Sequence, residues 1–243
     1  MTGRATTRSW VTACTLAETI GMTASAAAAR GATSLADSGV ARAALLGFVL
    51  VVAGGLVEGT ALGVLQSRAL ADRLGPRGRS GWVAVTLLLA GVGWAAGSAP
   101  ATLAGDDGGG AEPPLAAILL GAAGIGLVMG ALLGAAQAWV LARRAAYPAA
   151  HPGRWVVGSA LGWTVAMTVI FGGATTAGAG WAWPAVTAYG TGTGALAGLA
   201  LGAVTAPFLA RLDGTARDLG PAPQSPRAVG TRRTAAYRPL RTR

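Results

Sequence analysis

Two glutamate side chains lie inside long apolar segments of the sequence, where an ionised carboxylate is costly. Glu18 falls in the segment Trp10–Ala29 and Glu58 in the segment Ala43–Gln66. At a rise of 1.5 Å per residue, each lies about 12 to 15 Å from the arginine-flanked end of its segment. A charged carboxylate at the centre of a bilayer costs about 3 kcal/mol. We therefore interpret Glu18 and Glu58 as a candidate proton or cation site, in which at least one carboxyl holds a proton near neutral pH.

A purely structural role is the alternative for these glutamates. A neutral carboxyl can also donate its hydrogen bond to a backbone carbonyl in apolar surroundings, without binding any ligand. The corresponding positions of the later repeats hold Trp163 and Met129, so the pair belongs to the first repeat alone. Both interpretations remain open from the sequence.

Gln66 and Gln137 each end an apolar segment in which glycine recurs at every fourth position. Residues four apart on a helix drift by only about 40°, so these glycines form one bare stripe, and the amide lies on it. Such stripes let helices approach closely in lipid, and an amide can hydrogen-bond across the contact. Packing alone and contact with a ligand or ion both fit these two glutamines. The glycines expected at helix contacts are Gly55, Gly59, Gly63, Gly126, Gly130, Gly134, Gly194, Gly198 and Gly202.

The composition excludes most catalytic classes. All 19 basic residues are arginine, so no lysine is present for a Schiff base or a P-loop. His151 and Cys14 are the only residues of their types, which excludes a bis-histidine haem, a zinc cluster and a disulfide framework. The run Asp213–Arg217 resembles the start of the motif of CDP-alcohol phosphotransferases, but it is one residue short and lacks the downstream aspartates. We predict no enzymatic activity, no cofactor and no metal site.

Six apolar segments must position these side chains. The chain of 243 residues is 53% hydrophobic and 12% charged, which is typical of a multi-pass membrane protein. A helix that starts with tryptophan alternates with a glycine-striped helix, and the pair recurs with a period of about 72 residues. We predict an all-α bundle of six transmembrane helices, built as three tandem helical hairpins. The segments are Trp10–Ala29, Ala43–Gln66, Trp82–Ser98, Leu115–Leu141, Trp155–Thr175 and Trp183–Leu209.

The predicted domain boundary separates the helices from an arginine-rich tail. Residues 1–211 form the transmembrane domain, with repeats at about 10–73, 82–144 and 155–211. Residues 212–243 are rich in arginine and proline and show no apolar period, so we predict a disordered cytoplasmic tail. Its arginines would attract anionic lipid. A tail that only fixes the topology is the equal alternative, and we expect no nucleic-acid partner.

A cleaved signal peptide is the alternative for the first segment. Arg4 and Arg8 precede an apolar run that ends in alanines, as in a secretory signal. Glu18 interrupts this run, and the run matches the segment that begins at Trp155. We therefore expect the first segment to be retained as a helix.

The distribution of arginine predicts the orientation of the chain in the membrane. All but two of the 19 basic residues lie before the first segment, in the connections after the second and fourth segments, or in the tail. Cytoplasmic loops are enriched in arginine, so both termini are predicted to be cytoplasmic. We expect the tryptophans to form aromatic belts at the two interfaces. The inner belt would hold Trp10, Trp82, Trp139 and Trp155, and the outer belt Trp94, Trp181 and Trp183.

The repeated pattern resembles a group of uncharacterised bacterial multi-pass membrane proteins that are common in actinobacteria. The resemblance covers the membrane portion and implies the fold and a bacterial plasma membrane location, but no activity. The third repeat departs from the pattern, with Thr205 in the place of the glutamine. The residues that carry the resemblance are Gly55, Gly59, Gly63, Gln66, Gly81, Trp82, Gly126, Gly130, Gly134, Gln137, Arg154 and Trp155.

Two functions fit these features. The first is a non-enzymatic integral membrane protein that acts through close helix packing with lipid or protein partners, including a second copy of itself. The second is a small-solute or proton-linked transporter with a polar site near Glu18, Glu58, Gln66 and Gln137, because transporters are commonly built from repeats with sites near the midplane. A polar cavity that reaches both glutamates would favour transport, and a dry centre would favour packing.

Overall fold

A computed structural model describes residues 3–103, 113–146, 149, 151–176, 178 and 180–212. The described chain forms six helices and contains no strand in these ranges, so the prediction of an all-α chain is confirmed. The acidic connection 104–112 and all but Leu212 of the predicted tail lie outside the described residues. The helices are α1 (Gly3–Asp37), α2 (Ala43–Ala69), α3 (Ala71–Leu103), α4 (Leu115–Arg143), α5 (Gly153–Ala174) and α6 (Trp183–Arg211).

Five of these helices are long and apolar enough to cross a membrane, namely α2 to α6. The first helix is longer than predicted, at 35 residues, but it is also the most polar. Three threonines on α1 lower its hydropathy, and each donates its hydroxyl to the backbone carbonyl one turn earlier. These bonds run from Thr15 to Val11, from Thr19 to Thr15 and from Thr23 to Thr19. The hydroxyls are therefore satisfied within the helix itself.

The third helix begins earlier than the sequence indicates. Residues 67–81 were expected to form a connection, but Ala71 already starts helical backbone and the direction changes at Gly75. Gly75 has φ 61°, a left-handed conformation that favours glycine, and Pro76 then starts the long part of the helix. Leu70 and Leu74 are buried and anchor this short first turn against the bundle. The prediction of a loop here was wrong because the anchoring contacts are tertiary.

The six helices close a ring. Each helix packs against the helices before and after it in the chain, and α6 packs against α1. No other pair of helices brings Cα atoms within 8 Å of each other in the part of the chain that the structure describes. Thr23 of α1 and Thr191 of α6 are in hydrogen-bond contact, 2.7 Å apart, although they are far apart in the sequence. The ring therefore joins the first and last repeats directly.

The glycine rows form the contacts between successive repeats. Each glycine-striped helix lies against the next tryptophan-started helix, and the backbones meet at a valine that follows the tryptophan. A β-carbon built on these glycines would lie within 3.0 Å of the valine Cα, so any larger residue would push the helices apart. The three equivalent contacts are Gly63 with Val83, Gly134 with Val156, and Gly202 with Val11.

The contact between α3 and α4 differs from the other five. Near the ends that carry Gly78 and Gly81, the two helices are close, because a β-carbon at either glycine would meet Arg144. Farther along, Gly97 of α3 and both Gly121 and Gly124 of α4 have no neighbouring heavy atom within 4 Å of a built β-carbon. A β-carbon at Gly93 of α3 would still meet the side chain of Met129 of α4, so the two helices remain in contact up to that level.

Candidate functional site

Three tryptophans, one from each repeat, meet inside the ring. Trp10, Trp82 and Trp155 are each the first tryptophan of an odd-numbered helix, and their exposed fractions are 1%, 0% and 2%. The ring centroids lie 5.3 to 6.3 Å apart. The Trp10 ring meets the other two nearly edge-on, which is a favoured geometry for aromatic rings. We call these three residues the tryptophan cluster.

Each indole of the tryptophan cluster donates a hydrogen bond to the glycine-striped helix that packs against it. The three acceptors are Gln66, Gln137 and Thr205, which occupy equivalent positions of the three repeats. The bonds run from Trp82 Nε1 to Gln66 Oε1 (3.2 Å), from Trp155 Nε1 to Gln137 Oε1 (2.9 Å) and from Trp10 Nε1 to Thr205 Oγ1 (2.8 Å). Because indole is only a donor, a buried tryptophan needs such an acceptor.

The two glutamine amides also donate in the opposite direction around the ring. Gln137 Nε2 donates to Thr86 Oγ1 of α3 at 3.0 Å, and Gln66 Nε2 donates to Cys14 Sγ of α1 at 3.5 Å. Both ends of each amide are therefore partnered within the protein. Each glutamine links its own helix to the helix before it and the helix after it. This geometry supports a packing role for Gln66 and Gln137.

The aromatic-belt prediction was wrong for the tryptophan cluster. We expected these side chains at a membrane interface, but they are buried among helices. Trp94 likewise has a protein partner, the carboxyl of Glu58. By contrast, Trp139 is 46% exposed and lies under the guanidinium of Arg144, 4.9 Å from the ring centroid. A tryptophan near a helix end has the same sequence pattern in both cases, and only the packing decides which way it faces.

The two glutamates lie close together on the tryptophan-bearing first helix and its neighbour. Glu18 of α1 is completely buried, and Glu58 of α2 is 5% exposed. The Cβ and Cγ of Glu58 lie over Gly21, one helical turn beyond Glu18. The two carboxyls interact electrostatically. The structure thus brings together the two ionisable side chains that the sequence singles out.

Their hydrogen-bonding partners differ sharply. Glu58 Oε2 accepts a hydrogen bond from Trp94 Nε1 at 3.0 Å. Both oxygens of Glu18 are buried and have no hydrogen-bond partner among the described residues. The carbonyl oxygen and Cβ of Glu18 face the glycines of α6, Gly194 and Gly198, whose missing side chains make room for this helix. A buried carboxyl without a partner is an exception that requires an explanation.

The predicted site residues therefore fall into two layers. Gln66 and Gln137 are bonded to the tryptophan cluster, and the glutamates lie farther along the helix axes. Cys14 connects the layers, since it accepts from Gln66 and lies one turn before Glu18 on α1. Neither glutamate opens to solvent in this structure. Two shallow grooves lie on the outer face of α1 and α2 and are lined by apolar side chains such as Ile20, Leu56, Val57 and Leu50.

Replacing Gln137 with leucine is expected to lower the free energy of unfolding by about 1–3 kcal/mol, because Trp155 Nε1 and Thr86 Oγ1 would lose their partner in a buried position. Thermal unfolding of the purified protein in detergent measures this. Thr60→Val is the matched control, because the Thr60 hydroxyl is exposed and bonds only to the carbonyl of its own helix. Equal stability of Gln137→Leu and Thr60→Val would contradict the assigned role of the amide.

Sequence reasoning missed three partners in these layers. Trp94 was assigned to an interface, and Thr86 was not singled out. Thr205 was noted only as a departure from the glutamine pattern, although it accepts the indole hydrogen bond that a glutamine accepts in the other repeats. Its equivalent position in the repeat was the available signal, because a threonine hydroxyl and a glutamine amide oxygen are both acceptors.

The described residues contain no group of three histidine, cysteine or acidic side chains that could hold a metal ion. One layer consists of the two glutamates with the indole of Trp94. The other consists of the tryptophan cluster with its acceptors Gln66, Gln137 and Thr205. The chain matches no family model, no curated protein and no solved structure in the comparisons with known proteins.

Proposed function

We propose that the chain is an integral membrane protein of the bacterial plasma membrane, with six spans that include the polar first helix. The support for the sixth span is the position of α1 in the ring. It lies along α2 from the contact of Cys14 with Gln66 to the contact of Ala32 with Gly47, a stretch of about 27 Å at 1.5 Å per residue. This length is close to the apolar thickness of a bilayer, about 30 Å.

The proposed orientation places both termini in the cytoplasm, and cysteine labelling tests it together with the sixth span. In a Cys14→Ala background, single cysteines are placed at Ser9, Ser38 and Ser80. We expect a membrane-impermeant thiol reagent to label position 38 on intact spheroplasts and positions 9 and 80 only after lysis. Labelling of positions 9 and 38 from the same side would show that α1 does not cross.

We propose further that this protein is non-enzymatic and acts through close helix packing with lipid or protein partners. The observation that carries the proposal is the closed ring, in which backbones meet at glycines and the polar interior groups are shielded. The outside of the ring offers apolar surface, which includes the two grooves along α1 and α2. The larger groove has a volume of about 540 Å³, and Ala53 and Val57 line both grooves.

Filling the groove tests this function. Ala53→Phe would occupy the space that both grooves share, whereas Val128→Phe adds the same ring on an exposed position of α4. The proteins are purified from native membranes, and the lipids and proteins bound to them are identified by mass spectrometry. We expect the wild type to co-purify with a lipid or protein in a fixed ratio. Ala53→Phe is expected to lose this bound partner and Val128→Phe to keep it. Retention of the bound partner by both variants would exclude this groove as its binding surface.

Proton-linked transport is the second candidate, and the unpartnered carboxyl of Glu18 inside the ring is the observation that favours it. Wild-type protein in liposomes would then carry a proton-linked flux, and Glu58→Gln would abolish it. Flux that is the same in wild type and Glu58→Gln would leave only a structural role for the carboxyl. The closed surroundings of both glutamates in this structure favour the packing function over transport.

A further inference from the structure

The carboxyl of Glu18 is aimed into the interior of the ring. Leu16 and Ile20, which precede and follow it on α1, are 50% and 48% exposed and mark the outer face of the helix. At 100° per residue, Glu18 lies on the opposite side of the helix from the midpoint of these two residues. Ser25, seven residues later, shares this inward face, and its hydroxyl is also buried without a hydrogen-bond partner among the described residues. The inward face of α1 therefore carries polar groups that the described contacts leave unsatisfied.

Glu58 approaches the same region from α2 and is held there. Its Cβ and Cγ rest over Gly21, where no side chain blocks the approach. The indole of Trp94 lies against Gly55, one turn before Glu58, and donates to Glu58 Oε2. Since indole cannot accept a hydrogen bond, this oxygen of Glu58 must be an acceptor. A hydrogen bond to an ionised acceptor is stronger than one to a neutral acceptor, so the indole of Trp94 favours the ionised form of Glu58.

No positive charge in the described helices offsets these two carboxyls. The other titratable group facing Glu18 is the thiol of Cys14 on its own helix. Helix α6 presents Gly194 and Gly198 to Glu18, and α3 presents Trp94 to Glu58. The apolar stretches of α3, α4 and α5 contain no ionisable side chain. Two carboxylates in these surroundings would carry two uncompensated negative charges. The second charge costs more than the first, because repulsion between like charges adds to the loss of solvation.

We propose that Glu18 and Glu58 form a site for one exchangeable proton, with Glu18 as the protonated partner when Trp94 is bonded to Glu58. The two carboxyls are not hydrogen-bonded to each other in this structure, so transfer of the proton requires the Glu18 side chain to turn toward Glu58. The transfer breaks the O–H bond on Glu18 and forms an O–H bond on Glu58, so the pair keeps a charge of −1 and needs no other reactant. A proton fits better than a metal ion, because the described residues provide no set of three ligands for one. This inference goes beyond the packing function and holds whether or not the protein transports anything.

Infrared absorption spectroscopy on the protein in lipid nanodiscs tests the site. At pH 7 solvated aspartate and glutamate side chains are ionised, so only an enclosed carboxyl contributes a protonated carbonyl band. We expect this band in the wild type, its loss in Glu18→Gln, and its retention in Glu58→Gln. Absence of the band from the wild type, or its persistence in Glu18→Gln, would overturn the proposal. The wild-type spectrum alone shows whether an enclosed carboxyl is protonated, even if a variant fails to fold.

A second arm separates a proton from another cation and identifies the role of Trp94. Addition of Na⁺ at constant pH is expected to leave the carbonyl band unchanged, and loss of the band on adding Na⁺ would show that the site takes a metal cation instead. Trp94→Phe removes the donor to Glu58 and is expected to shift the band, whereas Trp139→Phe on the exposed face leaves it in place. An identical band in Trp94→Phe and wild type would contradict the pairing of the indole with this site. A result that contradicts the proton site would not contradict the packing function, which the groove experiment tests separately.

Discussion

Replacing Trp155 with alanine is expected to lower the free energy of unfolding by about 3–5 kcal/mol, the largest effect of any single change considered for this protein. The side chain is 2% exposed and contacts the rings of Trp10 and Trp82, so its removal leaves a cavity at the centre of the ring. It also leaves the Oε1 of Gln137 without its donor. Thermal or denaturant unfolding in detergent micelles measures the loss.

Trp139→Ala is the matched control for this prediction. Trp139 lies on α4, is 46% exposed and lies under Arg144, so its removal creates no interior cavity. A change within about 0.5 kcal/mol is expected, as for surface substitutions in general. If Trp155→Ala and Trp139→Ala unfolded alike, the tryptophan cluster would not be a buried core.

Replacing Gly130 with alanine is expected to destabilise the protein by about 1–3 kcal/mol, although alanine is the better helix former. A β-carbon at this position would lie 2.7 Å from the carbonyl oxygen of Ser159 and 2.9 Å from the Cα of Ala160. These are backbone atoms of α5, so the two helices must separate. The same measurement of unfolding applies.

Gly124→Ala provides the comparison on the same helix. No heavy atom lies within 4 Å of a β-carbon built at Gly124, so the substitution meets open space. Its effect should be neutral or stabilising by up to about 1 kcal/mol, because alanine has the higher helix propensity. A stabilising effect of both substitutions would refute the close approach of α4 and α5.

The helices could be predicted from the sequence because their signals are local. Apolar length, the starting tryptophans and the terminal arginines define five of them within a few residues at most ends. The start of α3 at Ala71 was not predictable in this way, since Leu70 and Leu74 are held by contacts with distant parts of the chain. The polar α1 was recognised only through its likeness to the segment that begins at Trp155.

The direction in which side chains face was harder to predict. The glycine spacing predicts one bare face per helix, but spacing alone does not say which helix lies against it. The contacts of Gly63, Gly134 and Gly202 run to the next repeat and, through α6 and α1, around the ring. The three tryptophans of the cluster face inward because the helices close into a ring. No residue signals the closure locally, because its contacts join positions such as Thr23 and Thr191 across the whole chain.

The carboxyl pair shows both the strength and the limit of sequence reasoning. Glu18 and Glu58 stand out because apolar segments contain few charges, and their similar depths predict that they meet. Their partners could not be predicted, since Trp94 reaches Glu58 only through the rotation of α3. The glutamines were grouped with the glutamates on the basis of polarity alone. Hydrogen bonds assign them instead to the tryptophan cluster.

The closed ring of six helices is the central claim, and a disulfide between its first and last helices tests it most directly. In a Cys14→Ala background, cysteines replace Thr23 and Thr191, whose hydroxyl oxygens are 2.7 Å apart. We expect rapid and nearly complete cross-linking in native membranes under mild oxidation, because the side chains already lie within disulfide distance. The pair Thr23→Cys and Thr168→Cys is the control, since no Cα atom of α1 lies within 8 Å of one of α5 in the described structure. Failure of the first pair to cross-link, or equal cross-linking of the control pair, would contradict the ring.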